Sequence, residues 1–359
     1  MKQVSGHEGE NERLTSVESS STAENDTRPQ TPDTDLIVAC KKGNLQAVHN
    51  ILNQSKIDIN RKGQNGLTPL MWAARKGHIG VVDLLVGNGA EVNLEDDAGN
   101  DILLWACYGG HVAMVKHVVS KKMVNINRKG LDGRTPLMWS ARQGKLAMFN
   151  LLVSAAGTLP AEVDRDGNSI LHLACRGGSV KIVDYILSQG VYIDERGESQ
   201  RTPLMVSAYN GHKELLDWLE SKGADVALTD DDDNNVLHVA CLGGHVDIVR
   251  RVLKLGKVDI NSLGQCSRTP LMMAARMGDK EIFDLLVETG ADATPMDADR
   301  NTILHLASTG GNLDIVKYAL GMENVDINAR NKRNETATMR ATSGNEVCNV
   351  LVSRGGFIQ

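Results

Sequence analysis

A four-residue motif, Thr-Pro-Leu-Met, recurs along this chain every 67 residues. Copies begin at Thr68, Thr135, Thr202 and Thr269, and a degenerate copy, TATM, begins at Thr336. A second motif lies between them as ILLWAC, SILHLAC, VLHVAC and ILHLAS, at spacings of 66 to 68 residues. Each long unit therefore contains two halves of about 33 residues, a period that indicates an array of stacked repeats.

One half-unit shows how this pattern builds local structure. Thr68 can cap a helix N-terminus, and Pro69 suits the first helical position, where its missing N–H costs nothing. The helix LMWAARK ends at Gly77, which can adopt the left-handed conformation that closes helices. A second helix follows, with apolar residues spaced for one buried face. Because one unit cannot cover that face alone, neighbouring units must stack.

Three segments carry a family resemblance: TPLMWAARKGHIGVVDLLVGNGAEVN, VLHVACLGGHVDIVRRVL and TPLMMAARMGDKEIFDLLVETGAD. They resemble the ankyrin repeat family, and the resemblance covers roughly residues 34–359. It implies an all-α ankyrin-repeat solenoid of about ten helix-turn-helix repeats with short hairpin-like fingers. The repeats are expected to start near residues 34, 66, 99, 133, 167, 200, 234, 267, 301 and 334.

The even-numbered repeats depart from the family pattern at one position, where methionine replaces the usual histidine. These methionines are Met71, Met138, Met205, Met272 and Met339. The departure argues against the family's histidine-mediated loop bonds in those repeats, and it leaves the fold prediction unchanged.

The first 33 residues differ in composition from the rest of the chain. They are rich in Ser, Thr, Glu, Asp and Pro and have almost no large apolar side chains. Because burial cannot offset the entropy of ordering such a segment, a disordered tail is expected over residues 1–33.

Net charge and hydropathy narrow the function classes. A formal net charge of −6 makes nucleic acid an unlikely partner, because nucleic-acid binders need a dominant basic field. No apolar run is long enough to span a bilayer, and no signal peptide is present, so membrane insertion is not expected. We expect a monomer in the cytosol or the nucleus.

Cysteine and histidine recur at fixed slots inside the apolar pattern. Cys40, Cys107, Cys175 and Cys241 share one slot, which predicts reduced, buried, small apolar residues. His172 precedes Cys175 by three residues, but a metal site needs more converging ligands than this spacing offers. Catalytic and phosphate-binding motifs are missing from the sequence. We therefore predict no metal, no other cofactor and no catalytic activity.

The first helices carry the best candidate for a partner-binding surface. Trp72, Trp105 and Trp139 occupy the same slot in three consecutive repeats, and residues three and four positions later share that face. The resemblance implies that this face lines the concave groove where ankyrin proteins commonly bind partners, and Trp, Tyr and Arg are enriched at interface hot spots. The predicted partner-binding residues are Trp72, Arg75, Lys76, Trp105, Tyr108, Trp139, Arg142, Gln143, Arg176, Tyr209 and Arg276.

Other interpretations of this face stay open. The tryptophans could simply pack between neighbouring first helices. An aromatic cage for a methylated lysine is a weaker alternative, since Arg75 and Arg142 would repel the cation. The basic residues at the helix ends could complement the helix dipole or could bind an acidic or phosphorylated peptide.

The fingers alternate in charge. Arg128 and Arg268 lie in basic fingers, whereas Asp230–Asp233 and Asp297 lie in acidic ones. We expect exposed ion pairs that contribute little individually. The Asp230–Asp233 run lacks the Gly and Glu of a calcium loop, so it is interpreted as an acidic finger.

The sequence thus predicts a non-catalytic scaffold or adaptor. It would bind a partner protein, or an acidic or phosphorylated peptide, through the groove and the fingers. Nucleic-acid or nucleotide binding on the basic groove and a purely mechanical tether are the alternatives.

Overall fold

The computed structural model describes residues 33–54, 57–130, 132–157, 159, 162–323, 325–342 and 344–357. The predicted disordered tail lies outside the described residues except for its last residue, Asp33. Within the described ranges the chain forms twenty α-helices and no strand, which confirms the all-α prediction. The chain divides into two compact units, residues 1–131 and residues 132–359, here called unit 1 and unit 2.

The helices of unit 1 come as three pairs, each joined by a tight turn. They are α1 Asp35–Lys42, α2 Leu45–Leu52, α3 Pro69–Arg75, α4 Ile79–Gly87, α5 Ile102–Gly109 and α6 Val112–Ser120, with a 3-10 turn at Gln64–Gly66. Each first helix packs on its own second helix, and within the unit α1 packs on α3 and α3 packs on α5. This is the stacking that the apolar pattern requires.

Unit 2 repeats the same arrangement seven times. Its helices are α7 Pro136–Arg142, α8 Leu146–Ala156, α9 Ile170–Gly177, α10 Val180–Ser188, α11 Pro203–Tyr209, α12 Lys213–Ser221, α13 Val236–Gly243, α14 Val246–Leu255, α15 Pro270–Met277, α16 Lys280–Glu288, α17 Ile303–Gly310, α18 Leu313–Leu320, α19 Ala337–Arg340 and α20 Glu346–Ser353. Two 3-10 turns lie in its fingers, at Glu198–Gln200 and Gln265–Ser267.

The Thr-Pro helices begin as the sequence predicts. The Thr68 hydroxyl accepts a hydrogen bond from the Met71 N–H at 3.3 Å, and Pro69 is the first helical residue. The same cap recurs at α7, α11 and α15. A side-chain cap of this kind satisfies one of the N–H groups that a helix start leaves open.

Methionine and histidine alternate at the third residue of the first helices, and both accept a hydrogen bond from the backbone N–H of the cap residue. The Met71 sulfur accepts the Thr68 N–H at 3.4 Å, and the His238 Nδ1 accepts the Asn235 N–H at 3.3 Å. The His238 Nε2 lies 3.1 Å from the carbonyl oxygens of Ser262 and Arg268 in the next finger. Because carbonyl oxygens only accept, this geometry assigns the proton to Nε2. Methionine has no equivalent donor, so in this slot of the described repeats the histidine side chain can bond to the next finger and the methionine side chain cannot.

The four aligned cysteines are buried free thiols. Burial raises the pKa of the Cys40 thiol to about 12 and raises the pKa of Cys107, Cys175 and Cys241 as well. They are protonated at neutral pH and unreactive for that reason. Their surroundings match the predicted role of small apolar core residues.

The Gly-Gly pairs of the odd-numbered repeats serve two different purposes. The second glycine, Gly110, closes α5 with a left-handed backbone (φ 73°). A Cβ atom on the first glycine, Gly109, would overlap the carbonyl oxygen of Arg75 on α3. The first glycine therefore permits the close approach of neighbouring first helices.

The fingers are tight turns that bond to one another. The Asp96 N–H donates to the Asn100 carbonyl at 3.0 Å and closes its own turn, while the Asp97 N–H donates to the Asn65 carbonyl of the preceding finger at 3.2 Å. Neither segment forms a regular strand. The fingers are hairpin-like, as expected, and they add a second row of contacts beside the helices.

Charged pairs between the fingers of unit 2 correct one expectation. The Nε atoms of three arginines donate to aspartates about thirty residues later: Arg134 to Asp164 at 2.9 Å, Arg201 to Asp230 at 3.2 Å and Arg268 to Asp297 at 3.1 Å. The three aspartate side chains are 0% exposed. The expectation of exposed, weakly contributing pairs is wrong here, because the aspartate side chains are fully buried and the arginine side chains are at most 17% exposed.

Candidate functional site

Five side chains of unit 1 form a compact group that we call the cation–aromatic cluster: Lys41, Trp72, Arg75, Trp105 and Tyr108. Lys41 lies in the last turn of α1. Trp72 and Arg75 lie three residues apart on α3, and Trp105 and Tyr108 have the same spacing on α5. Side chains three residues apart share one helix face, so the stacking of α1, α3 and α5 brings all five together.

Arg75 lies at the centre of the cluster. Its guanidinium carbon lies 4.9 Å from the Trp72 ring centroid, 4.8 Å from that of Trp105 and 5.0 Å from that of Tyr108. The Trp105 and Tyr108 rings meet edge to face with centroids 5.3 Å apart. Each ring attracts the cation through its negative face. The three contacts hold the guanidinium in one place.

The two cations of the cluster differ in their partners. The Lys41 Nζ lies 3.8 Å from the Trp72 centroid and 2.5 Å from the Asp33 Oδ2. Arg75 is half-buried and has no carboxylate or carbonyl partner among the described residues. The Trp72 indole N–H is buried and likewise has no acceptor in the described part of the chain. The cluster therefore offers fixed donors that the fold leaves unused.

Trp105 also has a structural role, as the packing interpretation proposed. Its side chain is only 9% exposed and packs on Leu67 and Met71. Its indole N–H donates to the Asp96 Oδ2 at 2.9 Å. Burial raises the pKa of Asp96, although the hydrogen bonds to its carboxylate oppose that shift.

The equivalent finger positions in unit 2 explain why the Trp105 indole bonds to Asp96. Asp96 occupies the finger position that Asp164 and its counterparts hold in unit 2, where an arginine pairs with the carboxylate. In unit 1 the arginine slot holds Leu67, and the Trp105 indole supplies the donor instead. Sequence reasoning missed Asp96 and Arg134 as structural residues, although the recurrence of Arg directly before three Thr-Pro motifs was a usable signal.

The predicted site residues of unit 2 form separate contacts. Trp139 is 7% exposed, and the guanidinium carbons of Arg134 and Arg142 lie 5.5 and 5.2 Å from its centroid. Tyr209 has the Arg201 guanidinium 5.8 Å from its ring centroid. The His212 Nε2 lies 2.9 Å from the carbonyl oxygen of Arg176.

The remaining predicted residues lie at the ends of first helices. Gln143 and Arg276 are half-buried, and Lys76 is exposed. The described contacts thus join Trp72, Arg75, Trp105 and Tyr108 within unit 1, and Trp139 with Arg142 within unit 2. A single patch that contains all six residues stays a prediction.

The structure also bears on a methyl-lysine cage, on a metal site and on membrane insertion. The aromatic faces that could enclose a methylated lysine are already in contact with Lys41 and Arg75. No group of three or more His, Cys, Asp or Glu side chains within the described ranges is arranged to hold a metal ion. None of the helices in those ranges is long and apolar enough to cross a bilayer.

Comparisons with known families identify the repeats. A family model of ankyrin repeats in three copies matches residues 10–96, 80–162, 157–230 and 204–297. A second model, of ankyrin repeats in many copies, matches residues 286–338. Together the two models match nearly the whole chain.

Curated relatives share the repeats within longer proteins. A Transient receptor potential cation channel subfamily A member 1 homolog of Caenorhabditis elegans is 30% identical over 187 residues, which are 50% of this chain and 15% of the relative. The human channel of that name is 25% identical over 308 residues, 79% of this chain and 26% of its own. Ankyrin repeat protein nuc-2 of Neurospora crassa is 22% identical over 294 residues, 79% of this chain and 28% of its own. The chain thus spans less than a third of each of these relatives.

Proposed function

The chain belongs to the ankyrin repeat family, and on that premise we propose that it is a non-catalytic protein-binding scaffold or adaptor. Repeats of this family generally mediate protein–protein interaction. The partner would present an acidic segment to the first-helix face, with the cation–aromatic cluster as the anchor. For unit 2, the predicted residues from Trp139 to Arg276 are proposed as partner contacts of that unit. Cytosolic or nuclear location and the monomeric state stay predictions from the sequence.

One observation supports this proposal above the others: Arg75 is immobilised by three rings and has no acidic partner among the described residues. A guanidinium needs hydrogen-bond acceptors, and its planar fork matches a carboxylate in a two-bond geometry. Because the rings already restrict the side chain, binding would cost little additional conformational entropy. Arg75 is therefore suited to receive a carboxylate from outside the chain.

The charge of the cluster favours a carboxylate over a phosphate. Lys41 is already paired with Asp33, so Arg75 is the cation of the cluster that remains to be neutralised. One guanidinium matches one carboxylate, whereas a phosphorylated side chain carries up to two negative charges and favours several cations. Nucleic acid is disfavoured for a related reason, since its binding needs an extended basic surface.

Substitution of Arg75 tests the proposal directly. The probe is a fluorescein-labelled peptide of eight consecutive glutamates, and its Kd is measured by fluorescence anisotropy. Arg75→Gln should weaken binding by about tenfold, as expected for the loss of a charge-assisted hydrogen bond. Arg75→Lys should recover only part of the loss, because an ammonium cannot form the two-bond geometry. Lys116→Gln, an exposed residue on the second helix α6, changes the net charge equally and should leave the Kd unchanged.

Several results would contradict the proposal. The first is an equal loss with Lys116→Gln, which would indicate long-range attraction only. The second is tighter binding of a phosphoserine peptide or of RNA than of the glutamate peptide. Circular dichroism melts of each variant establish that the helices remain folded.

A further inference from the structure

We infer that the acidic N-terminal segment ending at Asp33 is an intramolecular competitor for the cation–aromatic cluster, so that the chain limits access to its own binding site. The inference rests on the proposed function and names its regulation. The competing occupant is this chain's own sequence, residues 8–33, of which the structure describes the final residue.

The described contacts form a continuous path from that segment to the anchor. The Asp33 carboxylate lies 2.5 Å from the Lys41 ammonium, and that ammonium lies 3.8 Å from the Trp72 centroid. The Arg75 guanidinium packs on the same indole ring, with its carbon 4.9 Å from the Trp72 centroid. Asp33 is therefore only two side chains away from Arg75. The acidic segment begins beside the site that an acidic partner would use.

Asp33 is paired with Lys41, one of the two cations of the cluster. Its pair with Lys41 is partly buried, with side chains 21% and 26% exposed. The second carboxylate oxygen, Oδ1, is buried and has no hydrogen-bond partner among the described residues, and the Trp72 indole N–H is in the same state. An unmade bond of this kind costs free energy. Both groups would gain from a further donor or acceptor at this place.

The charge of the preceding segment fits this role. Within residues 8–32, six carboxylates outnumber the two cations, Arg13 and Arg28. The carboxylates are Glu8, Glu10, Glu12, Glu18, Glu24 and Asp26. Asp26 is seven residues from Asp33, a stretch that spans up to about 25 Å when extended. A tether of this length gives an effective concentration on the order of millimolar, so even a weak contact with Arg75 competes with a partner in solution.

The test compares two neutralised aspartates in the full-length chain with the eight-glutamate probe. Asp33→Asn should tighten probe binding about two- to fivefold, the range expected for release of one partly exposed ion pair. Asp35→Asn changes the net charge equally at an exposed position of α1 and should leave the Kd unchanged. A third variant, with the six carboxylates replaced by their amides, should tighten binding at least as much as Asp33→Asn does.

Each neutralisation is repeated in an Arg75→Gln background, which separates local competition from long-range attraction. Competition for Arg75 predicts that the gain of the six-carboxylate variant disappears when Arg75 is absent. An equal gain in both backgrounds, or an equal gain with Asp35→Asn, would overturn the inference.

The two proposals fail in different ways. If Arg75→Gln leaves the Kd unchanged, the proposed binding function is wrong. If Arg75→Gln weakens binding while Asp33→Asn and the six-carboxylate variant leave the Kd unchanged, the function stands and self-competition is wrong. Thermal melts confirm that each neutralised variant is folded.

Discussion

At the scale of single residues, the buried finger aspartates are the positions where the fold depends most on one partner. The Asp297 side chain has no exposed surface, and Arg268 is its charged partner at 3.1 Å. The same carboxylate also accepts the N–H groups of Asp299 and Asn301. Removal of one member of a buried pair leaves an uncompensated charge, which costs more than the pair itself contributes.

We therefore expect Arg268→Leu to lower the free energy of unfolding of unit 2 by about 3–5 kcal/mol. Leucine is the residue that the chain itself uses in the equivalent slot, Leu67, where Trp105 serves the aspartate instead. Urea denaturation followed by circular dichroism measures the change. Asp297→Asn added to Arg268→Leu should recover part of the loss, and a double variant no more stable than the single one would contradict this account.

The sequence predicted some residue roles and missed others for a physical reason. The Thr68 cap and the burial of Cys175 depend on local pattern and period, which a sequence displays directly. The partner of a finger aspartate depends on which residue lies about thirty positions earlier. Asp96 and Asp164 look alike in sequence, yet one receives an indole N–H and the other a guanidinium.

At the scale of elements, the fingers differ in backbone strain. The finger before α3 turns through Asn65 and Gly66, with φ of 56° and 74°, whereas the finger before α15 turns through Cys266 and Ser267, both at 56°. An Asn-Gly pair is a recognisable turn signal, but a Cys-Ser pair is not. The helix pairs were thus predictable from the period, while the left-handed positions of this finger were imposed by its place in the stack.

Ser267→Gly should raise the free energy of unfolding of unit 2 by about 0.5–1 kcal/mol. The left-handed conformation costs a residue with a Cβ about 1–2 kcal/mol, and the added flexibility of glycine in the unfolded chain returns part of the gain. Chemical denaturation detects a change of this size. In the reverse variant, Gly66→Ser, the new Cβ would lie 2.7 Å from the Asp97 backbone nitrogen, so it should destabilise unit 1. Unchanged stability in both variants would argue against strain at these turns.

At the scale of the whole molecule, the two units differ in how they should respond to acid. His172, His238 and His305 are buried in unit 2, and desolvation lowers the pKa of each. Their Nε2 atoms contact carbonyl oxygens of the next finger. Unit 1 has no histidine in this slot, because its repeats place Ile37, Met71 and Leu104 there.

The sign of the pH effect follows from these shifts. The unfolded chain takes up protons on its histidines near the ordinary pKa of about 6.5, whereas the folded chain resists protonation until a lower pH. Unit 2 should therefore keep its full stability above about pH 6.5 and lose stability as the pH falls through and below that value. In unit 2, burial also raises the pKa of Glu195; a carboxyl group with a raised pKa favours the folded chain as the pH falls, so Glu195 acts against the loss caused by the histidines. In unit 1, burial raises the pKa of Asp96 and Asp101, so these two groups do not destabilise that unit on acidification.

Native-state hydrogen exchange locates the effect, because it reports the opening free energy of each helix separately. Between pH 7.5 and 5.5, after correction for intrinsic exchange rates, that free energy should fall in α9, α13 and α17 and should not fall in α3 and α5. His238→Met installs the residue that the even-numbered repeats carry in this slot, so it should remove the pH response of α13 while lowering its stability at pH 7.5 through the lost finger bond. A uniform loss across both units would show instead that acid acts through net charge, and the buried histidines would then have no special part in it.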